Sequence, residues 1–261
     1  MSLNNIEKLR TKIEQRRLCV GTTVSFADPA ISELVGEVGY DFTWIEMEHA
    51  ALNLQNVLGH ILAVRGTETA PWVRVPWNDP VLMKPVLDLE PAGIIVPMVR
   101  SGKEAAAAVA ACRFPPTGIR SFGPWRGVSY GGKSAADFIR EAGQQPMVII
   151  QAEHIDAVND IDAIAATPGL DGICLGPCDL SASMGKLGHT SDPEVLAAMD
   201  RIIAATRSHG KMIGVSLGYA RKAVEYWLSK DLTFMAVGTD FLNLFAQSKM
   251  VFDHVRGSCG N

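Results

Sequence analysis

Val148-Ile149-Ile150-Gln151-Ala152-Glu153 decides the fold of this chain, together with Ile173-Cys174-Leu175-Gly176-Pro177-Cys178-Asp179-Leu180 further on. Each is a short apolar run that ends in a carboxylate. Strands of a parallel sheet are covered on both faces and read as unbroken Val/Ile/Leu runs. A carboxylate is costly inside such a run but not at its end, where the chain emerges. Two acids at the ends of two successive strands suit a hard divalent cation, which takes oxygen ligands. The pattern points to a metal-dependent barrel enzyme.

Outward from these runs the same alternation repeats. Strands are expected at Leu18–Val24, Asp41–Ile45, Ala70–Val75, Gly93–Val99, Met147–Glu153, Gly172–Leu175, Met212–Leu217 and Thr233–Val237. Helices are expected at Pro29–Gly39, Leu54–Arg65, Val81–Leu89, Lys103–Cys112, Ala135–Ala142, Ala157–Ala166, Val195–His209, Ala220–Ser229 and Phe241–Val255. Asn78 or Asp79 before Pro80 forms a helix start, because a short polar cap followed by proline suits a first turn. Eight strand–helix alternations predict an α/β chain folded as a (β/α)8 TIM barrel. An open doubly wound sheet would usually carry a glycine-rich phosphate turn after its first strand, and Thr22-Thr23-Val24-Ser25 is not one. The 261 residues match the roughly 250 of one such barrel, so residues 1–261 are expected to form a single domain.

Composition narrows the function classes. With 24 basic and 28 acidic residues interspersed, net charge −4, nothing suggests a nucleic-acid surface or a polybasic membrane patch. Met1 to Arg17 is polar and charged, without the apolar core of a signal peptide, and no apolar run approaches membrane-spanning length. The five cysteines (Cys19, Cys112, Cys174, Cys178, Cys259) show no metal-ligand or redox spacing, so a reducing cytoplasm is expected.

Catalytic groups of such barrels gather at the carboxyl ends of the strands. Those ends carry Glu46, Glu48 and His49, then Arg74, then Gln151 and Glu153, then Asp179, and finally Asp240. No lysine ends strands two to seven, and Lys211 precedes the seventh. A carbanion beside a carbonyl needs an electron sink, either a Schiff-base lysine or a Lewis-acid metal. This chain offers metal ligands. Two carboxylates leave positions for water and substrate, which magnesium and similar ions accept. Arg74 suits a developing negative oxygen, and His49 is a candidate base because imidazole titrates near working pH.

Trp44-Ile45-Glu46-Met47-Glu48-His49, Val73-Arg74-Val75-Pro76-Trp77-Asn78-Asp79, Gln151-Ala152-Glu153 and Gly176-Pro177-Cys178-Asp179-Leu180-Ser181, in this order, resemble the HpcH/HpaI family of class II pyruvate aldolases, from about Gly21 to Gln247. The resemblance implies a barrel of the phosphoenolpyruvate/pyruvate domain type, assembled as a hexamer (a trimer of dimers). It implies reversible cleavage of 4-hydroxy-2-oxo acids to pyruvate and an aldehyde, with Mg2+, Mn2+ or Co2+. Carried over by position, Glu153 and Asp179 hold the metal, with Gln151 and the Cys178 backbone contacting pyruvate. His49 is the acid/base, Asp88 orients it, and Arg74 stabilises the enolate oxygen. The closing helix at about 241–255 is expected to pack on a neighbouring subunit. Glu46, Met47, Cys178 and His154 stand where the family usually has Asp, Gly, Ala or Ser, and Thr; these departures bear on substrate scope. Arg120 or Arg126, in a stretch resembling the family's loop near the site mouth, is a candidate for a distal carboxylate.

Blander roles stand beside these. Cys178 reads as a small half-buried filler, His154 as a loop residue, and Trp72, Trp77 and Trp125 as packing. Gly127 to Ser134 satisfies G-x-x-x-x-G-K-[ST], yet Pro124-Trp125-Arg126 before it is no strand, as a phosphate loop requires. The competing functions are an acyl-CoA lyase of the same superfamily, a non-catalytic 2-oxo-acid-binding protein and a nucleotide hydrolase.

Overall fold

Eight strands, each paired in parallel with the next and the last with the first, close a barrel in chain order. The computed structural model describes residues 3–143 and 145–258, so Cys259 lies outside the described residues. The first half runs α1 (Ile6–Glu14), β1 (Cys19–Val24), α2 (Ala30–Val38), β2 (Phe42–Glu46), α3 (Leu54–Ala63), β3 (Ala70–Arg74), α4 (Pro80–Leu87), β4 (Gly93–Val96), α5 (Gly102–Cys112) and α6 (Ala135–Ala142). The second half runs β5 (Met147–Ala152), α7 (Ile155–Asn159), α8 (Ile161–Ala165), β6 (Gly172–Leu175), α9 (Pro177–Ser183) and α10 (Pro193–Ser208). It ends with β7 (Met212–Leu217), α11 (Arg221–Leu228), β8 (Phe234–Thr239) and α12 (Asp240–Ser258).

The two-residue period of a strand sorts the chain into two cores. Val148, Ile150 and Ala152 of β5 face outward into the layer between strands and helices, with Val73, Ile173 and Ile213. Met147 and Ile149 face into the barrel, with Phe42 and Trp44 of β2, Trp72 of β3 and Phe234 of β8. Continuing that inward parity to the carboxyl ends reaches Glu46, Arg74, Gln151 and Glu153. The fold therefore aims these four side chains at the mouth.

Inside, three aromatic rings fill the barrel. Phe42 stacks on Trp72 with centroids 4.4 Å apart, and Phe234 meets both rings edge-on. Glycines on adjoining strands make the room. A Cβ at Gly93 would lie 2.6 Å from Trp72 Cδ1, and Cβ atoms at Gly21 and Gly214 would run into the rings of Phe42 and Phe234. Each aromatic is almost fully buried, worth about 3–5 kcal/mol against alanine. Ile6 and Leu9 of α1 join this inner core, so α1 closes the amino-terminal end.

Three elements differ from the sequence-based expectation. α1 is polar apart from the residues it buries and was not foreseen. The helix expected over Ala157–Ala166 is split into α7 and α8 at Asp160, whose carboxylate accepts the Gly102 amide at 2.7 Å. The short helix α9 was not foreseen, because Gly176-Pro177 reads as a turn. α12 buries none of its residues and exposes Phe241, Leu244, Phe245, Met250, Phe252 and Val255. Among the described residues no helix is long and apolar enough to cross a membrane.

Candidate active site

The register of β2 against β3 sets Glu46 directly opposite Arg74. Arg74 Nε donates to Glu46 Oε2 at 2.6 Å, and Nη2 lies 2.5 Å from the same oxygen. Glu46 is 3% exposed, and it also accepts Trp44 Nε1 at 3.1 Å and the amides of Glu48 and His49 at 2.7 and 3.0 Å. It thereby shapes the turn that presents His49. The other end of the guanidinium meets Glu48 Oε2 at 2.8 Å and donates to Gln151 Oε1 at 3.1 Å. Burial alone would pull the Arg74 pKa down, but Glu46, Glu48 and Glu153 beside it hold it above its ordinary value.

Gln151 passes the network on. Its Nε2 donates to Glu153 Oε2 at 2.9 Å, while Glu153 Oε1 accepts the Met98 amide at 2.8 Å. Met98 sits at φ 54, a left-handed conformation that costs a non-glycine residue roughly 1–2 kcal/mol and here aims its N–H at the carboxylate. Gly176 keeps the other flank open, since a Cβ there would lie 2.7 Å from Glu153 Cβ. Burial pushes the Glu153 pKa up to about 7; the Met98 amide opposes this, and Glu48 and Asp179 nearby reinforce it. Glu48 is raised as well, by burial first, with Arg74 opposing.

Asp179 lies in the first turn of α9, beyond the end of β6 rather than on it. It is exposed and has no hydrogen-bond or ion-pair partner among the described residues. Ser183 of the same helix accepts the Ile155 amide at 3.0 Å, bracing α9 against the segment that follows Glu153.

Glu48 and Glu153, both raised first by burial and further by the nearby Asp179 charge, are answered by one guanidinium and leave the mouth acidic. That fits a hard divalent cation. Among the described residues no group of three or more His, Cys, Asp or Glu side chains could hold a metal, so a cation here would rest on at most two such side chains. Such a cation completes its coordination with water and substrate.

Other predicted positions take other places. His49 is at the mouth, two-thirds exposed, with Glu48 Oε2 3.6 Å from its Nε2. Cys178 is exposed, not the half-buried filler expected. His154 caps α7 by accepting the Asp156 amide at 3.1 Å. Asp240 ties the end of β8 to the segment after β1, accepting from Ser25 and Phe26. Trp72 packs as expected, whereas Trp125 is 76% exposed.

Asp88 caps the end of α4, the helix that leads back to the start of β4, so within one chain it lies at the barrel end opposite His49. Arg120 pairs with it at 3.2 Å and with Glu90 at 3.1 Å. Arg126 donates to the carbonyls of Leu89 and Leu3. Both arginines are 4% exposed and are spent on the amino-terminal face, not on a distal carboxylate at this chain's own mouth. Lys133 pairs with Glu141 at 2.6 Å in a loop that follows no strand, which removes the structural context a phosphate loop needs. Sequence reasoning missed Met98 and Gly176 and gave Glu48 no role. A carboxylate next to His49 was visible, but nothing in a sequence marks a methionine in a left-handed conformation.

A family model, HpcH/HpaI aldolase/citrate lyase, matches residues 21–246. A 5-keto-4-deoxy-D-glucarate aldolase from Citrobacter koseri is 35% identical over 89% of this chain and 90% of its own length. Its counterpart from Salmonella paratyphi C is 34% identical over 94% and 95%. The crystal structure of an HpcH/HpaI aldolase/citrate lyase family protein from Burkholderia cenocepacia superposes with a TM-score of 0.89 at 30% identity, covering 95% of this chain and 98% of that one. The barrel, the acidic mouth with its buried arginine and these likenesses agree: the chain belongs to the HpcH/HpaI aldolase/citrate lyase family and is a class II aldolase, a carbon–carbon lyase.

Proposed function

We propose that the substrate is a hydroxylated 2-oxo acid of the keto-deoxy-glucarate type and that cleavage occurs at the mouth between Arg74 and Asp179. The observation that carries this is the unbroken chain Glu46–Arg74–Gln151–Glu153, which ends beside an unpartnered Asp179. Glu153 and Asp179 would hold a divalent cation (Mg2+, Mn2+ or Co2+), which would supply Lewis-acid withdrawal of electrons from the 2-oxo group. Gln151 and the Cys178 backbone orient the pyruvate half. Arg74 donates to the oxygen that becomes negative as C3–C4 breaks, a bond that strengthens as charge develops. His49 takes the 4-hydroxyl proton, the aldehyde leaves, and the same proton returns to C3 to give pyruvate. Glu48 is the carboxylate that positions His49 from the same chain. Asp88 reaches His49 only across a contact between copies. An acyl-CoA lyase gains no support from the buried arginines of the opposite face.

Proton exchange at the pyruvate methyl group, followed by NMR in D2O, tests the assignment. Exchange is expected with Mg2+, Mn2+ or Co2+ and is expected to stop with EDTA. His49→Ala should lose both exchange and cleavage while keeping its metal content. Exchange that survives in His49→Ala reassigns the base.

The apolar residues of α12, exposed along a helix that buries none of its residues on its own barrel, support an oligomer in which α12 packs on a neighbouring copy, with a hexamer built as a trimer of dimers. Sedimentation velocity should then give about six times the 28.1 kDa of one chain. A 28.1 kDa particle at micromolar concentration refutes it.

A further inference from the structure

Beside the site, at the carboxyl ends of β6 and β7, lies a cavity of about 620 Å³ that shares Cys178, the neighbour of Asp179, as a wall. This is ample room for a small organic fragment. Ser216, on the inward parity of β7, and Thr190 supply hydroxyls, while Tyr226 and Trp227 of α11 supply apolar surface. No acidic residue lines it. Its one cation is Lys222, in the first turn of α11, which has no hydrogen-bond or ion-pair partner among the described residues. Lys8, Lys12, Lys133, Lys186, Lys230 and Lys249, by contrast, each pair with a carboxylate. The reacting end has the opposite character, with Glu46, Glu48, Glu153 and Asp179 answered by Arg74. A second carboxylate on the substrate is repelled from those acids and drawn toward the lysine.

We infer, resting on the aldol function proposed above, that this cavity seats the aldehyde half of the substrate and that Lys222 selects aldehydes that carry a carboxylate. Pyruvate stays at the mouth, and the aldehyde carbon lies where the two spaces meet at Cys178. The hydroxyls of Thr190 and Ser216 suit a hydroxylated chain, and the Tyr226 and Trp227 faces cover its carbons.

The test compares kcat/KM for aldol addition of pyruvate to succinic semialdehyde and to butanal, its neutral analogue of equal chain length. In Lys222→Met the ratio of the two values should fall by about 10–100-fold, the usual worth of a charge-assisted hydrogen bond. Lys222→Arg, which keeps the charge, should retain most of the ratio. An unchanged ratio in Lys222→Met overturns the inference, and so does an equal loss in Lys222→Met and Lys222→Arg. Pyruvate proton exchange in the wild type separates the two levels. Exchange with an unchanged ratio removes only the role of Lys222, whereas no exchange removes the aldol function on which it rests.

Discussion

Glu153→Gln and Asp179→Asn are each expected to lower aldol cleavage by about three orders of magnitude, because Lewis-acid stabilisation contributes several kcal/mol and each 1.36 kcal/mol is a factor of ten. Either change leaves one carboxylate for a weakly held cation, so metal content should fall with activity and excess Mn2+ should restore it only in part. The two variants should differ in stability. Glu153 is 2% exposed and holds the Met98 amide and the Gln151 side chain, and glutamine keeps the acceptor that the Met98 amide needs. Asp179 is exposed and bonds to nothing among the described residues, so Asp179→Asn should leave the melting temperature unchanged. Lys133→Ala is the contrast: it removes a surface ion pair and should leave metal content intact. Full activity and unchanged metal content in Asp179→Asn removes the aspartate from the ligand set.

Arg74→Lys is expected to cut kcat by about two orders of magnitude or more with little change in KM. Lysine keeps the charge but not the fork. Arg74 satisfies Glu46 through Nε and Nη2 while Nη1 reaches both Glu48 and Gln151, and one ammonium cannot span these partners at once. Glu46, buried and anchoring the turn to His49, would lose the paired Nε and Nη2 contact that satisfies it. The base and the oxygen-stabilising donor are thus disturbed together, and both act on the transition state. A variant that raises only KM would show that Arg74 merely binds substrate. Circular dichroism on the same sample separates a damaged site from a damaged fold.

How much of this was legible in the sequence depends on what each feature rests on. The strands were visible because both their faces are buried, which writes unbroken apolar runs. Glu153 was visible because it ends such a run. The boundary between α7 and α8 was not, since Asp160 breaks the helix through a bond to the distant Gly102 amide. Asp88, Arg120 and Arg126 were assigned to the mouth by resemblance, although connectivity places them at the other end of the same chain. A segment between a helix and the next strand belongs to the amino-terminal face of a barrel. Lys222 was invisible as a site residue because only the fold brings the start of α11 beside Cys178.

The barrel interior has a consequence for how relatives of this chain drift apart. Phe42, Trp72 and Phe234 each occupy space that a glycine on an adjoining strand leaves free. Gly93→Ala without a smaller residue at Trp72 forces a collision, and a smaller residue at Trp72 without a larger one at Gly93 leaves a void. Neither step is tolerated alone, so each glycine and its ring can change only together. Mouth residues such as Cys178 have open space around them and are free to vary one at a time. The interior is thereby constrained to change in pairs, whereas the rim can change one residue at a time.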